Sequence, residues 1–442
     1  MNKSHSGSKK IVSIKKIKHA ANLPVKGREI VVKSLEREGV DTIFGYPGGT
    51  SMEIHQALTQ TKKIRMVLPR HEQGGAFAAV GYARCTGRVG VCLATSGPGA
   101  INLLTGIMDA KMDSIPLLAI TGQVPSTVLG TDAFQETDIV GATFPLVKHS
   151  YLIKDVNDIS QIIHEAVHIA TTGRPGPVLV DIPKNIQQQE TIPNYDVSFT
   201  LQGYKPNLKP SSPQIKKAVH AIMNAKRPII YAGGGIISSG ASQELRKFVH
   251  KTGIPITNTV MGLGTFPMDD PLSLQMLGMH GAVYANIAMN HADLVIALGV
   301  RFDDRVTGKL AEFCKNAKFI HVDIDATEIN KNIVVDIPIQ GDLKLTLHKM
   351  NELVQPLKAI QPWVKQVYEW KKEFPFTVPP SGKHIVPQSV ICETQKLADE
   401  DAIISVGVGQ HQMWVAQFWR FQQPRNWLCS SGLGAMGFGL PV

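Results

Sequence analysis

Four short apolar runs in the first part of the chain each end in a tight loop, and a helix-like run follows each one. The loops are Gly45-Tyr46-Pro47-Gly48-Gly49, Arg70-His71-Glu72-Gln73, Thr95-Ser96-Gly97-Pro98-Gly99 and Thr121-Gly122-Gln123-Val124-Pro125. Strands separated by helices predict a parallel, doubly wound α/β sheet. Ligands of such sheets bind at the loops following the strand C-terminal ends, so four loops of this kind on one edge imply a built site. The predicted strands are Thr42–Gly45, Ile64–Leu68, Gly90–Thr95, Pro116–Thr121 and Pro177–Ile182, with helices over Glu29–Glu38 and Ile159–Thr172. Glu72 stands where a strand gives way to a helix of small and apolar residues, Gly74 to Arg84. There a carboxylate can project into a cleft, or simply suit the helix dipole.

At 442 residues the chain has room for about three domains by the usual length prior. Residues 188–212 read as a linker, with repeated prolines and no helical period, and residues 355–387 as a second connector. Between them, 213–354 carries a second α/β pattern with strands Arg227–Ala232, Ile254–Thr257, Asp293–Leu298 and Lys318–Asp323. A third begins near Gln388, with helix Gln388–Ala398 and strand Ala402–Val406, and has too few elements to close a sheet. The net charge of +10 is concentrated at the start: seven lysines and an arginine precede the first acid, Glu29. Residues 1–26 therefore read as a basic, disordered arm; a cytoplasmic protein is expected, with plastid or mitochondrial import by that arm as the alternative. Mixed charge elsewhere and 6% aromatics argue against nucleic-acid binding, and no apolar run nears a membrane span. Five cysteines without C-x-x-C spacing suggest reduced thiols.

Gly45–Ala57, Arg70–Gly87, Thr95–Ala100 and Ile120–Pro125 together resemble the acetolactate synthase catalytic subunit, a thiamine diphosphate-dependent enzyme. The runs Gly130–Glu136, Arg301–Gly308 and Gly407–Trp414 carry the same resemblance, which extends from about Gly27 to the last residue. It implies three doubly wound domains: 27–187 binding the cofactor's pyrimidine, 213–354 binding FAD, and 388–442 binding the diphosphate, the last incomplete. The implied reaction decarboxylates pyruvate and transfers an acetyl-level unit to pyruvate or 2-ketobutyrate, in branched-chain amino-acid biosynthesis. The site is implied to form between two subunits of a homodimer or dimer of dimers, with a regulatory small subunit as a further partner. A pyruvate oxidase-like enzyme and a flavin-binding fragment without activity are the alternatives.

By the same resemblance Glu72 bonds N1′ of the cofactor's aminopyrimidine, a charge-assisted contact that promotes proton transfer to the thiazolium-activating nitrogen. Gln123 and Gly49 are implied beside the reacting atoms; the plainer readings are a loop amide bonding its own backbone and a turn glycine. Arg305 is matched to the second substrate's carboxylate, or else it pairs with Asp303 or Asp304. Phe134 and Lys184 complete the substrate set, with Phe134 alternatively a core residue. Gly409, Gln410 and His411 lie between a strand and a helix, where backbone N–H groups suit a diphosphate. Met436 is matched to the residue that bends the cofactor, or is a core methionine.

For FAD the resemblance implies Arg174, Met279, His280, Gly281, Arg301, Asp323, Asp325 and Asp342. Gly233, Gly234 and Gly235 follow a strand but lack G-x-G-x-x-G spacing, which is weak support on its own. Asp323 and Asp325 are equally readable as a solvated loop or a helix cap, and His280 as a core histidine. The chain departs from the family at its end. The turn and asparagine expected to hold Mg2+ are not found by Val442, so no metal ligand is assigned, and a C-terminally truncated form is expected. Thr50 stands where many relatives carry alanine.

Overall fold

The computed structural model describes residues 23–196, 200–380 and 382–442. The basic arm up to residue 22 lies outside them; its last two residues, Val25–Lys26, form a strand paired antiparallel with Glu190–Thr191. Sequence alone puts both in irregular segments, because two-residue strands carry no readable alternation.

The first unit is a six-stranded sheet in the spatial order Arg65–Val67, Thr42–Gly45, Gly90–Ala94, Leu117–Gln123, Pro177–Pro183, His149–Leu152. Every pairing in it is parallel. Alternation along the inner strands sends successive residues to opposite faces. Val91, Leu93, Leu118 and Ile120 pack with helices Gly27–Arg37 and Ile159–Thr171, burying Ile30, Leu35 and Ile163. Cys92, Ala94, Leu117 and Ala119 face helices Glu72–Thr86 and Leu104–Asp113, burying Phe77 and Ile107. The small residues of helix Glu72–Thr86 let it lie close to the sheet. A Cβ on Gly90 would come 2.0 Å from the Ala79 carbonyl oxygen, so this approach requires glycine.

The second unit repeats the architecture, in the order Ser273–Met276, Ile256–Asn258, Pro228–Ala232, Leu294–Leu298, Lys318–Asp323, Ile337–Gln340, again all parallel. The third unit has one parallel pair, Ile404–Ser405 with Trp427–Leu428, and helices Pro387–Leu397 and Gln410–Phe418. It shares its core with both neighbours. Trp419, Phe421 and Trp427 pack with Leu263, Met268 and Met276, while Ala435 and Phe438 join the core under helix Glu72–Thr86. Among the described residues no helix is long and apolar enough to cross a membrane.

Candidate functional site

Glu72 opens its helix after His71, whose extended backbone and ring nitrogen cap the Gln73 N–H at 3.2 Å. The Asn102 amide donates to Glu72 Oε2 at 3.0 Å. The other oxygen has no hydrogen bond among the described residues. It faces Gly99, where a Cβ would sit 3.2 Å from Glu72 Oε1 and 2.8 Å from Thr95 Cγ2. Glycine there leaves room beside the carboxylate for a ligand group.

The neighbouring loops are tied to one another. Thr50 Oγ1 lies 2.9 Å from Thr95 Oγ1 and accepts the Ser96 N–H at 2.9 Å, while the Thr50 N–H donates to Thr95 Oγ1 at 3.2 Å. Gly49, one residue earlier, is exposed with open space where a side chain would stand. Gln123 ends its strand and is buried, a correction to its placement in a loop. Its amide donates to the Thr137 carbonyl and to Asp181 Oδ2, both at 2.9 Å, and its oxygen accepts the Val124 N–H at 2.9 Å. The plainer reading of Gln123, an amide bonding nearby backbone, thus describes much of what it does. Thr121 also donates to Asp181, at 2.6 Å. Burial pushes the Asp181 carboxyl up to about 6, against the lowering effect of those two bonds.

Glu136 accepts the backbone N–H groups of Gly130 and Ala133, and so folds the loop that presents Phe134. Phe134 is 88% exposed, which removes the core alternative. Lys184, half-buried, begins helix Lys184–Gln188. Arg305 pairs with Asp304 at 2.9 Å, with both side chains exposed, so this surface pair costs little to break. Gly409 (φ 147°), Gln410, His411 and Met436 are exposed as well, and Met436 at 72% is no core residue. No side chain caps helix Gln410–Phe418, leaving its first N–H groups open to an acceptor. No hydrogen bond among the described residues joins these four to Glu72.

A cavity of about 350 Å3 lies where the three units meet. Arg174, Gly234, Gly235, Arg301, Asp323 and Asp342 line it. Gly233, Met279, His280, Gly281 and Asp325 lie outside that lining. Gly233 backs onto Gly299, and the Met279 N–H donates to the Arg305 carbonyl at 2.8 Å. His280 is exposed, so it is not a core histidine. Arg174 donates to Ser114 Oγ at 2.8 Å, Glu328 Oε1 at 2.6 Å and Asp325 Oδ2 at 3.2 Å. Buried Glu328 also lines the cavity, and its Oε2 has no hydrogen-bond partner among the described residues. Asp323 Oδ1 accepts the Asp325 N–H at 2.9 Å, a turn contact, and burial pushes its carboxyl up to about 7. Asp342 caps helix Leu343–Leu353 through the Leu345 N–H at 2.9 Å. Carboxyl oxygens lining a cavity suit ligand hydroxyls. Asn102, Asp113, Asp181, Glu328 and Ser431 escape a reading of the sequence. They come from elements without motif character, and only folding gathers them.

Residues 25–142 match the family profile described as thiamine pyrophosphate enzyme, N-terminal TPP binding domain. Residues 215–350 match the central domain of the same enzymes, and 407–442 their C-terminal TPP binding domain. The chain is 55% identical over 432 residues to acetolactate synthase 3, chloroplastic, of Brassica napus, covering 96% of this chain and 66% of that protein. It is 54% identical over 430 residues to the chloroplastic acetolactate synthase of Arabidopsis thaliana, covering 96% and 64%. With acetolactate synthase 2, chloroplastic, of Brassica napus it shares 52% over 431 residues, covering 96% and 67%. The chain thus spans just under two thirds of the length of the first two relatives.

Proposed function

The chain belongs to the acetolactate synthase family of thiamine pyrophosphate enzymes, and from that premise we propose that it serves as the catalytic subunit of an acetolactate synthase. The reaction proposed joins two pyruvates into 2-acetolactate with loss of carbon dioxide, or pyruvate and 2-ketobutyrate into 2-aceto-2-hydroxybutyrate. The observation that carries it is the Glu72 carboxylate at the strand-end edge, with one oxygen held by Asn102 and the other facing the space beside Gly99. When bound, thiamine diphosphate supplies the nucleophilic ring carbon and the electron sink that loss of carbon dioxide needs.

Glu72 would hold a proton at Oε1 against the pyrimidine, with Asn102 fixing the orientation of the carboxylate. The exposed Gly49 N–H suits a developing oxyanion. Gln123 would act from a rigid position, since Asp181 and Thr137 already hold its amide. Phe134 would wall the substrate pocket and Arg305 grip a second keto acid's carboxylate, exchanging its weak bond to Asp304; Lys184 stands as a further substrate contact. Gly409, Gln410, His411 and Met436 would meet the cofactor's diphosphate and bent linkage, with Mg2+ completing that end.

FAD is proposed for the central cavity. Its donor set supports this: Asp323 and the unpartnered Glu328 Oε2 would accept ribose hydroxyls, and Arg174, Gly234, Gly235, Arg301 and Asp342 would make the other contacts. Of the remaining residues proposed for FAD, Asp325 acts at most through Arg174, and Gly233, Met279, His280 and Gly281 stand away from the lining. Net acetolactate formation is redox-neutral, so the flavin's role there is structural. A homodimer is the proposed assembly, supported by the apolar Tyr46, Met52, Leu68 and Ile101 left exposed at the edge around Glu72. For the compartment, the chloroplastic names of the relatives support the plastid option over the cytoplasmic one.

The test is acetolactate formation from pyruvate with thiamine diphosphate, Mg2+ and FAD. The chain is assayed as it stands and with the corresponding C-terminal part of the Arabidopsis relative fused to it. Glu72→Gln should lower turnover of the active form by about 100-fold or more, the scale of a lost proton-transfer group, with an unchanged melting temperature. Acetolactate from neither form, or full turnover by E72Q, would sink the reading.

A further inference from the structure

One buried charged cluster takes no part in the proposed chemistry. Arg84, near the end of helix Glu72–Thr86, is almost wholly buried and donates to Asp113 Oδ2 at 2.8 Å and Asp109 Oδ2 at 3.3 Å. Burial opposes its charge, but Asp113 and Asp109 more than offset this and hold the guanidinium pKa above its ordinary value. Both carboxylates then reach segments more than 300 residues further along the chain. Asp109 Oδ1 accepts the Ser430 hydroxyl; Asp113 accepts the Ser431 N–H at 3.0 Å and the Gly432 N–H at 2.8 Å. Ser430 in turn closes its own turn, accepting the Ala435 N–H at 2.7 Å, and its carbonyl takes the Gln412 amide at 3.3 Å.

Beyond this turn the chain runs along the helix that Glu72 opens. Phe438 lies under the Arg84 guanidinium at 5.5 Å. Pro441 and Val442 lie against the same helix: a Cβ on Gly81 would come 2.6 Å from Val442 Cγ2, and one on Gly74 3.6 Å from Pro441 Cβ. Asp113 also faces the central cavity, beside Ser431 and Arg301. A single carboxylate thus touches the cavity wall and anchors the turn that leads to Met436.

Apolar residues would hold such an interface as well, since burying three charges is costly. Directional bonds to two successive N–H groups and one hydroxyl specify a single docking, which apolar packing does not. We propose that Arg84, Asp109 and Asp113 position the Ser430–Val442 segment against helix Glu72–Thr86, and that filling the central cavity steadies this docking. The positioning stands on the contacts alone, while the coupling rests on the proposed flavin cavity.

Hydrogen exchange by mass spectrometry on the 442-residue chain separates the two. Asp113→Asn keeps the shape but turns one acceptor into a donor, so it cannot serve Arg84 and both N–H groups. Peptides from 430–442 should then exchange about tenfold faster, with strands Pro228–Ala232 and Leu294–Leu298 unchanged. Ser430→Ala, which removes the Asp109 link and the hydroxyl's own bond to the Ala435 N–H but keeps both Asp113 bonds, should give a smaller increase and carries the test if D113N does not fold. Wild-type exchange rates in both variants would overturn the positioning. Adding FAD should slow exchange of 430–442 several-fold in the wild type and not in D113N, with binding of each followed by quenching of flavin fluorescence. Flavin binding without that slowing overturns the coupling. No flavin binding overturns the coupling and the cavity assignment together, while the ligand-free comparison still decides the positioning.

Discussion

Asp181 shows how a residue outside every motif can govern one inside. It is buried at the foot of Gln123 and accepts from both Gln123 and Thr121. Its carboxyl pKa, raised by burial to about 6 from an ordinary 3.8, favours the protonated form in the folded chain. The stability this contributes is full below pH 3.8 and is lost as the pH rises through about 6. Chemical denaturation of wild type and Asp181→Asn should therefore diverge between about pH 4 and 7. The wild type loses stability relative to the variant as pH rises, and parallel profiles would refute the assignment. At this scale Glu72 stands out in the sequence because the loop after a strand carries distinctive residues, whereas Gln123 and Phe134 are reached through the family resemblance, and Gln123 ends its strand instead of lying in the loop. Asp181 and Asn102 stand out in neither way, since a carboxylate in a strand and an amide in a short helix have no signature before they meet their partners.

Between elements, Arg174 is the instructive contact: it leaves the first unit's loop after helix Ile159–Thr171 and reaches Glu328 and Asp325 in the second. Replacing Arg174 by Met keeps the alkyl stem and leaves buried Glu328 with Lys331 alone, at 3.1 Å, a loss of about 2 kcal/mol on the scale of a charged hydrogen bond. The double variant Arg174→Met, Glu328→Gln should recover most of it. Calorimetric melting of the wild type and the two variants checks this, and equal losses in single and double would show that the pair's charge is immaterial. Within the two six-stranded sheets three strands escape a reading of the sequence, His149–Leu152, Ser273–Met276 and Ile337–Gln340, and all are sheet edges. An edge strand pairs on one side only, tolerates Pro338, and needs no continuous apolar run. The central strands, buried on both faces, announce themselves for the opposite reason.

Over the whole molecule, the strand-end edge around Glu72 leaves Tyr46, Met52, Leu68, Ile101 and Phe134 exposed. Apolar side chains gathered at one edge, on loops and short helices, suit an association surface. Sedimentation velocity at micromolar concentration should show a dimer, and Ile101→Asp should shift it to monomer without changing the melting profile of the first sheet. A wild-type chain that sediments as a monomer would place the second half of the site elsewhere.

The sequence alone determined that the chain forms parallel α/β units and where the loops at their strand ends lie, because strand and helix periods and loop chemistry are local properties. It also located the acid that opens the helix at Glu72. Tertiary structure alone decided which carboxylates share Arg84 and Arg174, which predicted flavin residues line one cavity, and how the third unit docks. Those are contacts between residues far apart in the chain, and their partners are chosen by packing after the local elements exist.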